Sequence, residues 1–333
     1  MIYDESVLTE TERRIFALRT LYSKAGYSSY RMRKFEDYDL YSRNKDFLLS
    51  DRVLTFTDTN GRLKALKPDV TLSIVRNISA AQGERVRLYY DENVYRASEK
   101  TGGFKEIMQM GLECIGNADN ASAAEVICLA EQSLALLAAD FEYILRISDI
   151  DILTLLADDM TDSGSLRREL LKLAGSKNLH GIERLCAEND IPEDKCKTLT
   201  GILELYGAPD AVMPELERLC RGTAAEDEIA EFGDVLDKIR AIMPDTQKMV
   251  LDISIVGDTN YYNGMTFEGY IEGIPDCVLV GGRYDNLMRK MKKKSRAIGF
   301  AVYLDTLAML GRTAGDRSVE AFFDDWRATD DDD

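Results

Sequence analysis

An α+β fold, a largely antiparallel sheet flanked by helices and carrying a helical insertion, is predicted by three observations. Runs rich in β-branched and aromatic residues pair as hairpins over 52–68 and 85–116. Strand-like runs return at 249–256, 261–273 and 277–282. Between these stretches, residues 162–245 carry leucine and glutamate at helical spacing, broken at Gly175, Pro192, Gly207-Ala208-Pro209 and Gly222. The expected division is a first half over 1–160, a helical insertion over 161–246, a second half over 247–312 and an acidic tail over 313–333.

Each element has its own warrant. Thr9 or Thr11 can cap a helix over 10–25, in which Ile15, Leu18, Leu21 and Tyr22 share a face and Gly26 follows as a stop. Asn60-Gly61 supplies the positive φ that a tight hairpin needs between Arg52–Thr57 and Arg62–Pro68. Pro68, Asp69 and Thr71 then open a helix that runs through Ser73 to Ala80. A long hairpin pairs Arg85–Ser98 with Phe104–Gly116 around EKTGG. A helix over Ala121–Ala138, a strand over Phe141–Ser148 and a short helix after Asp149 complete the first half. After the insertion, Gly-Ile-Pro-Asp turns the chain between two strands, and the helix YDNLMRKM and strand AIGFAVYL end the fold.

Charge narrows the function classes. The chain of 333 residues has a formal charge of −17, so its average field repels phosphate backbones and no nucleic-acid partner is expected. The one dense basic run, KMKKKSR from Lys290 to Arg296, reads as a solvated turn. Six cysteines stand far apart without a CxxC, and His180 is the single histidine, so neither metal-ligand spacing nor a nucleophile–histidine pair is present. The charged N-terminus does not suit a signal peptide, and no run approaches the length of an uninterrupted membrane span. A cytoplasmic protein with reduced thiols and no membrane partner is the expectation. The segment after Gly311, ending DDWRATDDDD, reads as disordered or loosely docked.

The candidate site starts from alternation. Gln109 and Glu113 lie on one face of a strand, as a carboxylate and an amide placed to grip an ammonium group or a ring nitrogen. Equally, the two could form a polar patch on a solvated sheet. Tyr261 and Tyr262 should point to opposite faces, one into a pocket and one into packing. Gly281-Gly282 lets the backbone approach a ligand closely, and Arg283 or Asp285 can brace the next helix.

Taken in order, KPDVT, VYRASEKTGGFKEIMQMGLECIG, NYYNGMTFEGY, GGRYDNL and AIGFAVYLDTL resemble the catalytic module of histidyl-tRNA synthetases and their relatives, over residues 1 to about 312. The resemblance implies a class II aminoacyl-tRNA synthetase-like antiparallel sheet with ATP and histidine on its surface. It also marks departures. Arg96 matches the arginine that meets the ATP α-phosphate, but Ser98 replaces the acidic residue two positions on. Thr306 stands where an arginine grips the γ-phosphate, and Tyr303 where a small glycine is usual. Gly257 replaces the catalytic arginine, and Asn260 the aspartate before the paired tyrosines.

Each preorganised cation lost from an adenylation site costs about 3 to 4 kcal/mol of transition-state stabilisation, so no catalytic residue is assigned. The positions resembling a histidine site, Asp69, Thr71, Arg96, Gln109, Glu113, Tyr261, Tyr262, Gly281 and Gly282, keep ligand-capable chemistry. Through YYNGMTFEGYIEGIP, GGRYDNLMRKM and AIGFAVYLD the chain also resembles the branch of regulatory subunits of short-form ATP phosphoribosyltransferase, synthetase paralogues without an anticodon-binding domain. That resemblance implies a hetero-octamer with the catalytic subunit, control of the first step of histidine biosynthesis with histidine as effector, a self-dimer, and neither cofactor nor metal. The other reading is a divergent amino-acid adenylating enzyme, with Lys100, Lys105 or Arg283 supplying the missing charge.

Overall fold

The computed structural model describes residues 7–48, 52–81, 83–97, 103–255 and 261–312. Ser98, Lys100, Gly257, Asn260, the tip of the EKTGG loop and the acidic tail lie outside them.

Helix α1 (Glu10–Lys24) begins at Thr9, whose hydroxyl accepts from the Glu12 amide while the Glu12 carboxylate accepts from the Thr9 amide. This capping box decides between the two candidate threonines. Three short elements were invisible to periodicity: β1 (Ser28–Ser29), β2 (Phe35–Asp37) and α2 (Tyr38–Ser42). Strand β2 joins β3 (Thr55–Thr57) and β4 (Leu63–Leu66) in a three-stranded sheet. In the β3–β4 turn Asp58 Oδ1 accepts from the amides of Asn60 and Arg62, and Gly61 takes φ +74°. Helix α3 (Thr71–Asn77) starts where Asp69 accepts from the Leu72 amide and stops short of Ala80.

Strands β5 (Arg85–Ala97) and β6 (Phe104–Gly116) pair along their whole length. Helix α4 (Asn120–Ala138) follows, capped by Asp119, and then β7 (Tyr143–Asp149) and α5 (Ile150–Met160). Among the described residues α4 alone is long and apolar enough to cross a membrane, yet 72% of that stretch is buried inside the fold, as suits a core helix. Helices α6 (Gly164–Gly175), α7 (Leu179–Glu188), α8 (Glu193–Glu204), α9 (Pro209–Cys220) and α10 (Glu226–Ile242) come next, with β8 (Tyr206–Gly207) between α8 and α9. The chain then forms β9 (Met249–Asp252), β10 (Met265–Ile271), β11 (Leu279–Arg283), α11 (Asp285–Lys290) and β12 (Arg296–Tyr303), and ends in 3-10 turns over Leu304–Arg312.

The large sheet has the order β1-β5-β6-β12-β11-β10-β7-β9-β8. It is antiparallel except where β1 meets β5 and β7 meets β9. The predicted α+β class with a largely antiparallel sheet therefore holds.

Alternation along β6 sorts its side chains between two environments. Met110, Leu112 and Cys114 enter the larger core, with α1, α4 and the helices of the 164–242 stretch. Residues 109, 111, 113 and 115 face a smaller core built with α2, α3, α11 and Phe47. On that second face the sheet floor is unusually bare. Gly111 pairs with Ala301, Glu113 with Gly299, and Gly299 in turn with Gly282. A Cβ at Gly111 would sit 2.2 Å from the Tyr90 ring and 2.7 Å from the Phe300 carbonyl oxygen.

This contact makes a testable contrast between two glycines. Gly111→Ala should cost about 1–3 kcal/mol, because the Tyr90 ring and a backbone carbonyl must both move. Gly201→Ala, inside α8 with only an ordinary 3.5 Å contact to Leu219, should instead stabilise by about 0.4–1 kcal/mol. Urea unfolding of both variants beside the parent checks the opposite signs.

Candidate functional site

Over the bare floor lies a cavity whose polar lining comes from Asp69, Thr71, Arg96, Gln109, Glu113 and a group of tyrosines. It offers about 60 Å³ to the centres of water-sized atoms. One water needs roughly 10–15 Å³ by that measure, so a small molecule is accommodated.

Glu113 is the centre of the arrangement. Its side chain is buried, with Thr71 Oγ1 donating to Oε1 at 2.7 Å and Tyr284 Oη donating to Oε2 at 2.5 Å. A Cβ on Gly299 would stand 2.0 Å from Oε2, so the carboxyl group occupies the space that glycine leaves. Burial, with a smaller push from the charge of Asp69, raises the Glu113 carboxyl to about 8 against the pull of the two hydroxyl donors. At neutral pH it is therefore mostly an uncharged acid.

Four residues along β6, Gln109 is also buried, and its Nε2 has no hydrogen-bond partner among the described residues. A buried donor without an acceptor is costly, on the order of 1–3 kcal/mol, and directs attention to what enters the cavity. The alternative of a solvated polar patch for Gln109 and Glu113 does not hold, since each is 2% exposed.

The other predicted positions divide. Asp69 reaches the lining by starting α3, and burial raises its carboxyl despite Arg96 nearby. The expectation that Tyr261 and Tyr262 face opposite ways is corrected. Strand geometry begins only at Met265, so these residues lie in the preceding turn and both line the cavity, with rings 4.7 Å apart. Gly281 and Gly282 are not in the lining; the Phe267 ring fills the space beside Gly281 and the Tyr262 ring that beside Gly282. They admit protein side chains, and only through Tyr262 does this shape the cavity.

Three contributors were missed. Tyr284 follows the two glycines and holds Glu113, Tyr90 passes over Gly111, and Gly299 makes room for the acid. The small residues at alternate positions 299 and 301, opposite Glu113 and Gly111, were the legible signal.

Among the described residues Arg96 is the one cation in the lining, and its neighbours claim it. Its Nε donates to the Pro68 carbonyl at 2.8 Å, a terminal nitrogen lies 3.9 Å from Asp69, and the guanidinium sits 6.0 Å from the Tyr303 ring centre. Thr306 donates its hydroxyl to the Tyr303 carbonyl at 2.6 Å. Neither Lys105 nor Arg283 lines this cavity. Arg283 faces a second, polar cavity of about 260 Å³, which also holds Asp149, Asp151 and Glu228.

The ligand atoms of those three carboxylates lie within 4.8 Å of one another, close enough to hold a cation. Burial raises the carboxyls of Asp149, Asp151 and Glu228, and nearby carboxylates add to it: Glu228 and Asp151 for Asp149, Asp285 for Asp151, and Asp151 and Glu231 for Glu228. They come from β7, α5 and α10, a convergence that spacing does not reveal. All six cysteines are free thiols.

Known proteins give a consistent set of likenesses. A family model described as histidyl-tRNA synthetase matches residues 5–307. An ATP phosphoribosyltransferase regulatory subunit of Clostridium acetobutylicum is 28% identical over 296 residues, covering 87% of this chain and 72% of that one. Among solved structures, an ATP phosphoribosyltransferase regulatory subunit/histidyl-tRNA synthetase from Bacillus halodurans superposes with a TM-score of 0.79 at 24% identity, over 92% of this chain and 80% of that one. A chain of an ATP phosphoribosyltransferase complex from Thermotoga maritima gives 0.66 at 19% identity, over 89% and 98%. At these identities the structural likenesses speak for the fold.

The raised Glu113 carboxyl predicts a sign. The folded chain binds this proton more tightly than the unfolded chain does. Its stabilising contribution is thus complete below the ordinary value of 4.5 and is lost as pH rises through about 8. Glu113→Gln keeps a neutral group with one acceptor and one donor end. Its melting temperature should fall less than the parent's between about pH 5 and pH 8, and calorimetric melts across that range check it. Other raised carboxyls contribute equally to both proteins and cancel in the comparison.

Proposed function

The chain belongs to the histidyl-tRNA synthetase family, and on that premise we propose that it serves as the non-catalytic regulatory subunit of ATP phosphoribosyltransferase, with histidine as the effector bound in the Glu113 cavity. The observation that carries this reading is the charge inventory of the cavity among the described residues: two carboxyl groups, an unmatched amide donor, and a single guanidinium already claimed by Pro68, Asp69 and Tyr303. Such a lining suits a molecule carrying an ammonium or imidazolium group. It does not suit adenylation, in which negative charge grows on phosphate and preorganised cations do most of the stabilising.

Histidine would draw on each group differently. The uncharged Glu113 ionises when a cation arrives beside it, because the attraction offsets the burial that keeps it protonated. Gln109 Nε2 would find the acceptor it lacks. Asp69 and the Tyr261–Tyr262 pair would close around the ligand, and Arg96 would keep its place as a brace. Control of the catalytic partner then needs one more property. Histidine must bind the active and inactive assemblies with different affinity, by a coupling of about 1–3 kcal/mol. We place the assembly in the cytoplasm, as a hetero-octamer containing a self-dimer of this chain.

The decisive experiment mixes the full chain with the short catalytic subunit. Co-elution, a rise in phosphoribosyltransferase turnover and inhibition by histidine are the expected results. Amino-acid-dependent pyrophosphate exchange into ATP by this chain alone would overturn the reading in favour of an adenylating enzyme. In the complex, Glu113→Gln should raise the histidine concentration for half-inhibition about tenfold or more, the loss of one charge-assisted contact. Titration calorimetry in buffers of different ionisation enthalpy should show that histidine binding releases a proton in the parent and less in Glu113→Gln.

A further inference from the structure

The basic run around KMKKKSR has no role in the cavity just described, yet its surroundings are distinctive. Residues 70–83 and 286–304 contain no acidic residue, in a chain with 59 of them. The two segments meet at a separate polar hollow of about 590 Å³, lined by Ser79, Ala80, Ala81 and Gly83 from one side, Gly116 and Asn117 from the end of β6, and Lys293, Lys294 and Ser295 from the turn before β12. Among the described residues no carboxylate is in that lining. Glu84, next to it in the chain, accepts from the Ala81 amide.

Part of this has a plain structural purpose. Lys293 Nζ donates to the Ile78 carbonyl, which caps the C-terminal end of α3, and lies 3.4 Å from the Ser79 hydroxyl. That contact draws Lys293 partly out of water, and the desolvation lowers its ammonium below the ordinary value. Two of its three N–H groups are not used on Ile78. Lys294 has no ion pair among the described residues, and the amides of Lys294 and Ser295 make no hydrogen bond among them. Lys292 adopts φ +59°, a left-handed conformation that turns the chain sharply just before these groups. Gly116 at φ +120° lets the Glu84 backbone close in, since a Cβ there would meet the Glu84 carbonyl oxygen at 2.1 Å.

The ensemble is two ammonium groups, two hydroxyls, a side-chain amide and free backbone amides around a concave surface. Donors gathered without a carboxylate among them are the complement of an oxyanion, and lysines together with backbone amides are a usual way of cradling phosphate. Its size falls in the range of about 300–1,000 Å³ usual for small-molecule sites, whereas a nucleic-acid backbone would be repelled by the chain's charge of −17.

We propose that the hollow between Ser79, Asn117 and Lys293–Ser295 is a second ligand site, which takes the phosphate or diphosphate group of a small metabolite. Titration calorimetry of the full chain with pyrophosphate, at constant ionic strength set with potassium chloride, tests it. Saturable binding is expected, weakened at least tenfold in the Ser79→Ala/Lys294→Gln double variant, both of whose positions are exposed. Lys197→Gln, on the distant α8, should bind as the parent does. No saturable heat beyond that of chloride, or the same affinity in the parent and the double variant, would overturn the proposal. Tighter binding of a uridine oligonucleotide than of pyrophosphate would overturn it too, in favour of a nucleic-acid contact.

Discussion

The buried carboxyl of Glu113 is the constraint on which this site depends. An acid removed from water needs donors on both oxygens and a vacancy of its own size, and here these come from separate parts of the chain. Thr71 arrives with the start of α3, Tyr284 from the turn between β11 and α11, and the vacancy from Gly299 on β12. Gly299 lies in, and Tyr284 directly follows, the antiparallel ladder that sets Gly299 opposite Glu113 and Gly282 opposite Gly299, with the Tyr284 amide donating to the Ala297 carbonyl. Sheet register and ligand chemistry are therefore one problem. A slip of one residue in β12 would put Ile298 or Phe300 where the acid now stands.

This dependence explains what was legible in the sequence. Gln109 and Glu113 could be placed on one face because strand alternation is a local rule, and the long hairpin containing them is a strong local signal. Thr9 as a cap and Asn60-Gly61 as a turn are local for the same reason. Tyr261 and Tyr262 were misplaced because the strand pattern was extended four residues too far back, across a turn with Gly264 at φ +61°. Tyr284 and Gly299 escaped notice because their role is a contact across 171 residues in one case and a cross-strand pairing in the other. Gly281 and Gly282 showed the converse error, since a glycine pair announces close approach but not by what.

Arg96 shows how a retained residue can lose its meaning. Judged by position alone it is a phosphate ligand. Held by a carbonyl, a carboxylate and an aromatic ring, it is a wall of the cavity, and the bulky Tyr303 that helps hold it replaces what a nucleotide would need most, namely space. A cavity that keeps carboxyl groups and an amide donor while the one cation among its described residues is engaged can select a ligand without driving a reaction on it.

Selection without reaction acts on a partner only if the ligand distinguishes two states of the assembly, and the geometry suggests where the distinction is read. Glu113 touches α3 and the β11–α11 turn, neither of which is joined to β6 by the ladder that fixes β5 and β12. Strand pairs are held by many hydrogen bonds and change little, whereas single side-chain contacts can be exchanged at low cost. When Glu113 turns from neutral acid to carboxylate, the two hydroxyls that donate to it are held more tightly, as charge-assisted bonds are roughly twice as strong as neutral ones. On the reading proposed above, histidine would change how firmly α3 and the Tyr284 turn are tied to Glu113, and a partner resting on either element would sense the ligand through that tether.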